Sequence, residues 1–400
     1  MFKLFQINST YNWGSTGRIA EEIGQTVIKE GGESYLAYGR YHNNGISKPI
    51  RIGNKLDIYN HILQSRLLDR HGLASRNATL KLINEIEAIQ PTIIHLHNIH
   101  GYYLNYLILF DYLSKINVPI IWTLHDCWAF TGHCAHFDSI GCDKWKTQCY
   151  NCEASKAYPK TYFDSSSNNY KLKKQYLTKI SKMTLVPVSF WLKELVSESF
   201  LSHYKIHVIH NGINTQLFKP TIDKLIISKY NIKERFIILG LTNIWAKTKG
   251  LNDIIELDNI IDHNIFQIVL VGLNHKQIHN LPKTIIGLPR TDSLEDLVKL
   301  YSHAGVFINP TWEDNFPTTN LEALACGTPV ITYNTGGSPE AIDEKTGYVV
   351  PKGDINKLYE AIKNVQQGRI DREECRKRAV KLYNKEDRFK EYIDLYNSLL

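Results

Sequence analysis

Short apolar runs alternate with helix-like segments along most of the chain. One series includes residues 2–7, 92–96 and 119–124, and a second series begins near residue 235 with Phe236–Leu241 and Phe266–Val271. Runs that are apolar throughout and alternate with helices are typical of parallel sheets covered on both faces. The pattern therefore predicts an α/β protein with two doubly wound, Rossmann-like parallel sheets.

Two sheets of this kind require two domains, and 400 residues suffice for two cores of ordinary size. We place an N-terminal domain at residues 1–210 and a C-terminal domain at residues 211–385. A helix over residues 386–400 follows, and its apolar side chains form one stripe, so we expect it to dock on the N-terminal domain. Ligands of such sheets bind beyond the carboxyl ends of the strands, which predicts an active site in a cleft that the two sheets face.

Basic residues are concentrated in the first half of the chain. The formal net charge is +7, and residues 1–200 hold 22 Lys and Arg against 16 Asp and Glu. A dense run indicates either a solvated helix face or a surface for an anionic membrane: Lys171, Lys173, Lys174, Lys179 and Lys182. No nucleic-acid-binding motif accompanies this charge, so we expect no nucleic acid partner.

Neither a membrane span nor a signal peptide is visible in the sequence. The longest apolar runs fall far short of the roughly 20 residues that a spanning helix needs. Residues 1–30 lack the apolar core and cleavage site of a signal peptide. We expect a cytoplasmic protein whose membrane attachment, if any, is peripheral and on the inner face.

The segment from Ile308 onward combines acidic residues with the start of a helix. Glu313 and Asp314 stand in a turn after a strand, and a helix begins near Thr318 with Glu322 inside it. A helix N-terminus is suited to phosphate, and neighbouring carboxylates can accept hydrogen bonds from sugar or ribose hydroxyls. The alternative interpretation makes Asp314 an N-cap-like acid and Glu322 an exposed helical acid.

This stretch resembles the family 4 glycosyltransferases of the GT-B fold, whose hallmark is E-x7-E followed by A-x-G-x-P-V. Asp314 stands eight residues before Glu322, so the first acid here is an aspartate, with Glu313 beside it. The resemblance implies that Asp314 holds donor-sugar hydroxyls and that Glu322 holds the nucleotide ribose. It also implies that the backbone of Thr318 and Thr319 faces the donor diphosphate.

A cation and a linker extend the resemblance. Residues 208–220 (VIHNGINTQLFKP) are similar to the family's interdomain linker, and Lys249 with Gly250 matches its basic-residue–glycine pair. The resemblance implies that Lys249 neutralises the donor phosphates. The family's arginine before that lysine has no counterpart, because Asn243 stands there, and Lys247 is a nearby cation that could replace it. As a plain surface pair, Lys247 and Lys249 would have no function.

The first domain carries a weaker part of the resemblance. Gly14 and Gly17 match the glycine loop that approaches the donor phosphates, and His125 matches the histidine that reaches the donor sugar. The alternative for His125 is a hydrogen-bonded core histidine. We expect that bland role for three others near strand ends: His95, His97 and His100.

A cysteine-rich insert occupies residues 127–152. Four cysteines have the spacing C-x7-C-x6-C-x2-C: Cys134, Cys142, Cys149 and Cys152. Reduced thiols in a cytoplasmic chain favour a structural zinc site or buried packing, and redox chemistry is a third alternative. His133 and His136 are further candidate ligands. The stretch is similar to the colanic-acid and capsular-polysaccharide subgroup of these transferases.

The resemblance implies a retaining glycosyltransferase that transfers a hexose from a UDP- or GDP-sugar to a lipid-linked oligosaccharide, in bacterial capsule, exopolysaccharide or O-antigen biosynthesis. The C-terminal domain would bind the donor and the basic N-terminal domain the acceptor. We expect no cofactor to be required for catalysis, with structural zinc as the one candidate metal. Two alternatives remain: a nucleotide-sugar epimerase of the same fold, and a catalytically degenerate, zinc-stabilised binding module.

Overall fold

Residues 1–400 are described by a computed structural model, in which the chain divides into two units. Unit 1 comprises Met1–His210 together with Arg388–Leu400, and unit 2 comprises Asn211–Asp387. Each unit is built on one parallel sheet with helices between its strands. The predicted fold class, two Rossmann-like α/β sheets, is confirmed.

Unit 1 contains a seven-stranded sheet in the order β3-β2-β1-β4-β5-β6-β7. Its strands are β1 (Lys3–Asn8), β2 (Glu33–Tyr38), β3 (Lys48–Arg51), β4 (Ile93–Leu96), β5 (Ile120–Leu124), β6 (Met183–Pro187) and β7 (Lys205–Ile206). Its helices are α1 (Gly14–Lys29), α2 (Lys55–Leu68), α3 (Arg76–Ile89), α4 (Tyr106–Leu113), α5 (Ser166–Leu177) and α6 (Phe190–Ser197). The strand order reverses between β1 and β4, where sheets of this type place their ligands.

Unit 2 contains a six-stranded sheet in the order β10-β9-β8-β11-β12-β13. Its strands are β8 (Phe236–Leu241), β9 (Phe266–Val271), β10 (Ile286–Leu288), β11 (Val306–Asn309), β12 (Val330–Tyr333) and β13 (Gly347–Val350). Its helices are α7 (Leu225–Lys229), α8 (Leu251–Asp258), α9 (His275–Asn280), α10 (Leu294–His303), α11 (Thr318–Ala325), α12 (Ile355–Gln366) and α13 (Arg372–Tyr383). Here the order reverses between β8 and β11.

The last helix, α14 (Lys385–Leu399), begins in unit 2 and packs in unit 1 from Arg388 onward. Its apolar stripe is buried against strands β1, β4, β5 and β6 and helix α1, through Phe389, Tyr392, Ile393 and Tyr396. The hydroxyl of Tyr396 also lies 2.7 Å from Nδ1 of His95, whose Nε2 lies 2.7 Å from the Thr123 hydroxyl. With both ring nitrogens hydrogen-bonded inside the core, His95 is a structural histidine.

Between β5 and α5 the chain is irregular, with four single 3-10 turns: Trp128–Phe130, Asp138–Ile140, Lys144–Lys146 and Glu153–Lys156. This segment includes the cysteine-rich insert. Aromatic side chains rather than regular structure hold it together, since Trp145 is buried, stacks on Phe137 and meets Phe130 edge to face. Along the whole chain, the helices are too short or too polar for one of them to cross a bilayer.

Candidate functional site

Lys249 is the centre of the candidate site in unit 2. Its Nζ lies 2.7 Å from Asp314 Oδ2 and donates to the main-chain carbonyl of Glu313 at 2.9 Å. A longer contact of 3.4 Å reaches the Thr311 hydroxyl. The Lys249 and Asp314 side chains keep 29% and 26% of their surface exposed, so an incoming ligand can reach the ion pair. The structure thus brings three sequence-predicted residues to one point.

Backbone contacts fix the two loops that carry these residues. The Trp312 N–H donates to the carbonyl of Thr248 at 2.8 Å, and the Trp312 indole donates to Asp253 at 2.9 Å. Gly250 has a φ of +76°, and a Cβ on it would lie 2.1 Å from the carbonyl oxygen of Pro310. Only glycine allows the lysine loop to approach the acidic loop so closely.

Helix α11 begins at Thr318, directly after the acidic loop, and the preceding residue gives it no side-chain cap. The first turn therefore presents main-chain N–H groups and the positive end of the helix dipole, an arrangement suited to phosphate. The helix is held in place by Asn320, which accepts from Asn309 at 2.9 Å and donates to the Ser338 hydroxyl at 3.1 Å.

Glu322 lies one turn further along α11 and is buried, with 6% of its surface exposed. The Tyr301 hydroxyl donates to Glu322 Oε2 at 2.9 Å. Burial raises the pKa of Tyr301 well above its usual value, so the phenol remains a donor. The alternative interpretation of Glu322 as an exposed helical acid is therefore wrong. Tyr301 has no local sequence signal, because it lies 21 residues earlier, on α10.

Two other predicted donor-site residues stay outside this cluster. Asn243 and Lys247 lie in the loop between β8 and α8, and both side chains are exposed to solvent. Buried Trp245 lies between them and donates through its indole to the carbonyl of Val271 at 2.9 Å. The loop is therefore anchored, but the structure does not bring Asn243 or Lys247 into contact with Asp314.

In unit 1, the predicted glycine loop follows strand β1 in the sequence and leads into helix α1, which begins at Gly14. Gly14 has a φ of +68°, and open space surrounds the position of its missing Cβ. A Cβ on Gly17 would lie 2.5 Å from the Thr10 hydroxyl oxygen and 3.2 Å from the Thr10 carbonyl. Gly17 is thus required for close packing of the helix against the loop after β1, whereas Gly14 is required for backbone conformation.

His125 follows β5 and belongs to a buried chain of side-chain contacts. Its Nε2 lies 3.3 Å from His97 Nδ1, and His97 Nε2 lies 3.0 Å from Gln6 Oε1. The Gln6 amide nitrogen donates to the carbonyl of Ala20 at 2.8 Å, which turns its oxygen toward His97. His97 therefore donates from Nε2, and its Nδ1 accepts the Nε2–H of His125.

The electrostatics agree with this tautomer assignment. Burial lowers the pKa of His125 to about 4 and holds the pKa of His97 well below its usual value, so both rings are neutral near pH 7. The remaining nitrogen of His125, Nδ1, is then an acceptor for a hydroxyl group. His97 and Gln6 thus orient the predicted site histidine, a role that the sequence alone did not indicate.

Asp126 adds a negative charge beside His125. Burial by itself would raise the pKa of Asp126. The positive charge of His100 and the hydrogen bond that it donates outweigh burial and hold the pKa of Asp126 below its usual range. The His100 Nε2 lies 2.8 Å from Asp126 Oδ2, and the Trp128 N–H donates to Oδ1 at 2.9 Å. His100, expected to be a plain core histidine, is the partner of this acid.

Comparison with known proteins identifies the family. The description "Glycosyltransferase Family 4" matches residues 17–217, half of the chain, and "Glycosyl transferases group 1" matches residues 223–382. The chain belongs to glycosyltransferase family 4. The resemblance drawn from the Asp314–Glu322 spacing and the Lys249–Gly250 pair is confirmed.

Relatives of this glycosyltransferase include a putative colanic acid biosynthesis glycosyl transferase, WcaC, of Escherichia coli K12, which is 24% identical over 99% of this chain and 100% of its own length. An Escherichia coli UDP-Gal:alpha-D-GlcNAc-diphosphoundecaprenol alpha-1,3-galactosyltransferase is 25% identical over 50% of this chain and 56% of its own. Anabaena HepE in complex with UDP-glucose has a TM-score of 0.67 at 12% identity, with both chains fully covered. That likeness confirms the GT-B fold.

The cysteine-rich insert of this glycosyltransferase gathers its thiols around one small cavity. Cys134, Cys142, Cys149 and Cys152 line an apolar space of about 20 Å³. The Gly132 N–H donates to Cys149 Sγ at 3.2 Å, and a hydrogen bond from Cys134 lowers the pKa of Cys152 to about 7.

His133, one of the two suggested histidine ligands, also lines this cavity: its Nδ1 lies 2.6 Å from Asp69 Oδ1, and its buried Nε2 has no hydrogen-bond partner. Over the whole chain, His, Cys, Asp and Glu side chains form no group of three or more in metal-binding geometry. Zinc therefore stays a prediction from the sequence.

The basic run over residues 171–182, the first part of which lies on α5, does not form a single solvated face. Lys173 is buried, donates to the Trp128 carbonyl at 2.5 Å and lies 3.5 Å from the centre of the Trp128 ring. Burial lowers the pKa of Lys173 to about 7. Both interpretations of the run, a solvated face and a surface for an anionic membrane, require exposed lysines and are wrong for Lys173, which packs against Trp128, whereas Lys171 and Lys174 are exposed.

Proposed function

We propose that this family 4 glycosyltransferase transfers a hexose from a UDP- or GDP-sugar to a lipid-linked oligosaccharide, with retention at the anomeric carbon, during assembly of a bacterial capsular or related polysaccharide. The observation that carries the proposal is the cluster at the start of α11, where Lys249, Asp314 and buried Glu322 surround a helix N-terminus. The relative named for colanic acid supports the pathway, and the relative named for a diphosphoundecaprenol substrate supports the acceptor.

The donor would bind in unit 2 through its charged and hydroxyl groups. The diphosphate would face the N–H groups of Thr318 and Thr319, and Glu322 would accept hydrogen bonds from the ribose hydroxyls. The Lys249 ammonium group is paired with Asp314, so an arriving diphosphate would replace Asp314 as the partner of Lys249. Asp314, once released, would accept from the donor-sugar hydroxyls.

In the transfer step, the bond between the anomeric carbon and the diphosphate oxygen breaks, and the acceptor oxygen bonds to that carbon on the same face of the ring. The acceptor proton passes to the departing phosphate oxygen, which balances the charge. Negative charge grows on the leaving diphosphate, and Lys249 stabilises it together with the helix N–H groups. The neutral His125 would accept a hydrogen bond from a sugar hydroxyl at Nδ1, and it would neither give nor take a proton during the transfer.

Unit 1 would bind the acceptor, as its excess of basic residues suits a lipid-linked diphosphate. We also propose a peripheral association with the inner face of the membrane, where a lipid-linked acceptor is presented.

Turnover with a defined acceptor tests the proposal. The purified protein is incubated with each UDP- and GDP-hexose and with a polyprenyl-diphosphate sugar, and the products are analysed by mass spectrometry and by NMR of the anomeric proton. We expect one donor to give a glycosylated lipid with the donor's anomeric configuration, and Lys249→Met to form it at least about 100-fold more slowly. An epimerised sugar formed without acceptor, or an inverted product, would overturn the proposal.

A further inference from the structure

The outward face of helix α2 in unit 1 is apolar, although the helix lies at the surface. Leu56, Tyr59, Leu63 and Leu67 leave 77%, 67%, 57% and 43% of their surface exposed. Their spacings of three and four residues place them on one stripe of the helix. A surface helix normally points such a stripe into the core.

Hydrogen bonds on the inner face keep α2 in this orientation. His61 is fully buried there, with Nδ1 2.8 Å from the Ser75 hydroxyl and Nε2 accepting from the Gly72 N–H at 2.9 Å. Buried Ser65 lies on the same side of the helix. A rotation that hid the leucines would expose the histidine and break both contacts, so the apolar stripe is held outward by polar anchoring.

Two exposed aromatic side chains extend the stripe. Tyr162 and Phe163 leave 67% and 65% of their surface exposed. The Tyr162 N–H donates to the carbonyl of Arg66 at 2.8 Å, which fixes this loop beside the last turn of α2. We call the six exposed residues the α2 surface: Leu56, Tyr59, Leu63, Leu67, Tyr162 and Phe163.

The charges around the α2 surface are a small excess of cations over acids. Exposed cations border this surface at Lys55, Arg66, Arg70 and Lys160, against three carboxylates in the same segments. The acids of the same segments are turned to hydrogen-bond donors: Asp57 accepts the Asn54 N–H, Asp69 pairs with His133, and Asp164 accepts the N–H groups of Cys152 and Ser166. Exposed leucine and aromatic side chains bordered by Lys and Arg are the composition of a surface that enters the headgroup region of an anionic bilayer.

We propose that the α2 surface is the membrane-docking face of this enzyme and that its partner is a bilayer containing anionic phospholipid. The proposal rests on the proposed function and deepens it, since a lipid-linked acceptor is reached at a membrane. The leucines and aromatic rings enter the headgroup boundary, and the bordering cations meet the lipid phosphates. The exposed lysines of α5 are then not the primary contact.

Vesicle sedimentation tests this assignment with matched variants. Wild type and variants are mixed with vesicles of phosphatidylcholine alone or with phosphatidylglycerol added, without any donor or acceptor. We expect wild type to bind the anionic vesicles, and Leu63→Gln with Leu67→Gln to lower the partition coefficient at least about tenfold, because two inserting side chains are lost. The control is Ile222→Gln with Leu225→Gln, which changes two apolar residues of unit 2 that are even more exposed than Leu63 and Leu67. It should bind within about twofold of wild type.

A second pair of variants tests which basic residues contact the anionic lipid. Lys55→Glu with Arg66→Glu should lower binding at least about tenfold, and Lys171→Glu with Lys174→Glu should have a smaller effect. Equal binding by wild type and the α2 double variant, or no sedimentation of wild type, would overturn the proposal. A wild-type dimer that the α2 variant converts to a monomer would also overturn it, in favour of a second copy as occupant. Because the assay contains no nucleotide, its failure leaves donor binding in unit 2 unaffected.

Discussion

Unit 1 buries a set of histidines in their neutral form, and this makes its stability depend on pH. Burial is the main cause in each case: it lowers the pKa of His61 to about 3 and of His125 to about 4, and it holds the pKa of His71, His95 and His97 well below 6.5. In the unfolded chain each ring takes up a proton near pH 6.5. The unfolded state therefore binds more protons than the folded state as the pH falls.

The sign and size of this change in stability with pH follow from the different numbers of protons that the folded and unfolded states bind. Folded pKa values below the unfolded value mean that stability is lost as the pH drops through 6.5, and the loss continues until the folded rings titrate. At pH 5.5 each buried histidine contributes a loss of about 1.4 kcal/mol relative to pH 7.5, so the five together give about 7 kcal/mol. That is comparable with the whole stability of an ordinary domain, about 5–15 kcal/mol.

Urea unfolding at pH 7.5 and pH 5.5, followed by tryptophan fluorescence, measures this loss. With an m-value of about 3 kcal/mol/M we expect the midpoint of unit 1 to fall by about 2 M. His61→Gln should reduce the loss by about 1.4 kcal/mol, one histidine's share, whereas His279→Gln, at an exposed position of α9, should leave it unchanged. A urea midpoint that stays constant down to pH 4.5, where carboxylates begin to titrate, would show that the buried histidines do not destabilise unit 1 as the pH falls.

Three further outcomes follow from the structure. Lys249→Met should lower kcat about 10²–10³-fold with little change in Tm, because a partly exposed ion pair is worth about 1 kcal/mol or less; steady-state kinetics with a kcat within threefold of wild type would contradict its role. Gly250→Ala should lower the urea midpoint far more than Gly31→Ala, since both residues have positive φ but only the first would place a Cβ against a carbonyl; equal effects would show that the close approach is unimportant. The zinc prediction requires about one zinc per chain in protein purified under reducing conditions, and metal analysis that finds none, with the cluster thiols free after unfolding, would assign the cysteines to packing.

Strands that are buried along their whole length could be predicted from the sequence, whereas the exposed edge strand β3 could not. Strands β5 and β9 are buried along their whole length, so their apolar runs are visible. Strand β3 lies at the sheet edge, contains Pro49 and is mostly exposed, so its residues give no apolar run. Edge strands are not selected for burial on both faces, and their sequences carry correspondingly little signal.

Within the candidate site, motif spacing predicted the residues of the loops but not their buried partners. Lys249 and Asp314 stand in recognisable segments, whereas Tyr301 reaches Glu322 only because α10 and α11 pack together. Gln6 reaches His97 because β1 and β4 are neighbours in the sheet. Such contacts depend on topology, which periodicity along the chain does not specify.

The burial of Lys173 did have a sequence signal. Tyr170, Lys173 and Leu177 are spaced three and four residues apart and all three are buried on α5. The lysine thus lies on the apolar stripe of the helix and is buried with that stripe despite its charge. Counting basic residues along the chain hid this, because charge counting ignores which face of the helix each residue occupies.

Unit 2 is proposed to hold the donor through the start of α11 and Glu322, and the binding of nucleoside diphosphates tests this proposal. Thermal stabilisation of the purified protein is measured with UDP, GDP and TDP, each against its monophosphate. We expect one diphosphate to stabilise wild type well above its monophosphate, and Glu322→Gln to weaken this binding at least about tenfold, because a charged acceptor is lost. Stabilisation by none of the three, or equal stabilisation of wild type and Glu322→Gln, would contradict it.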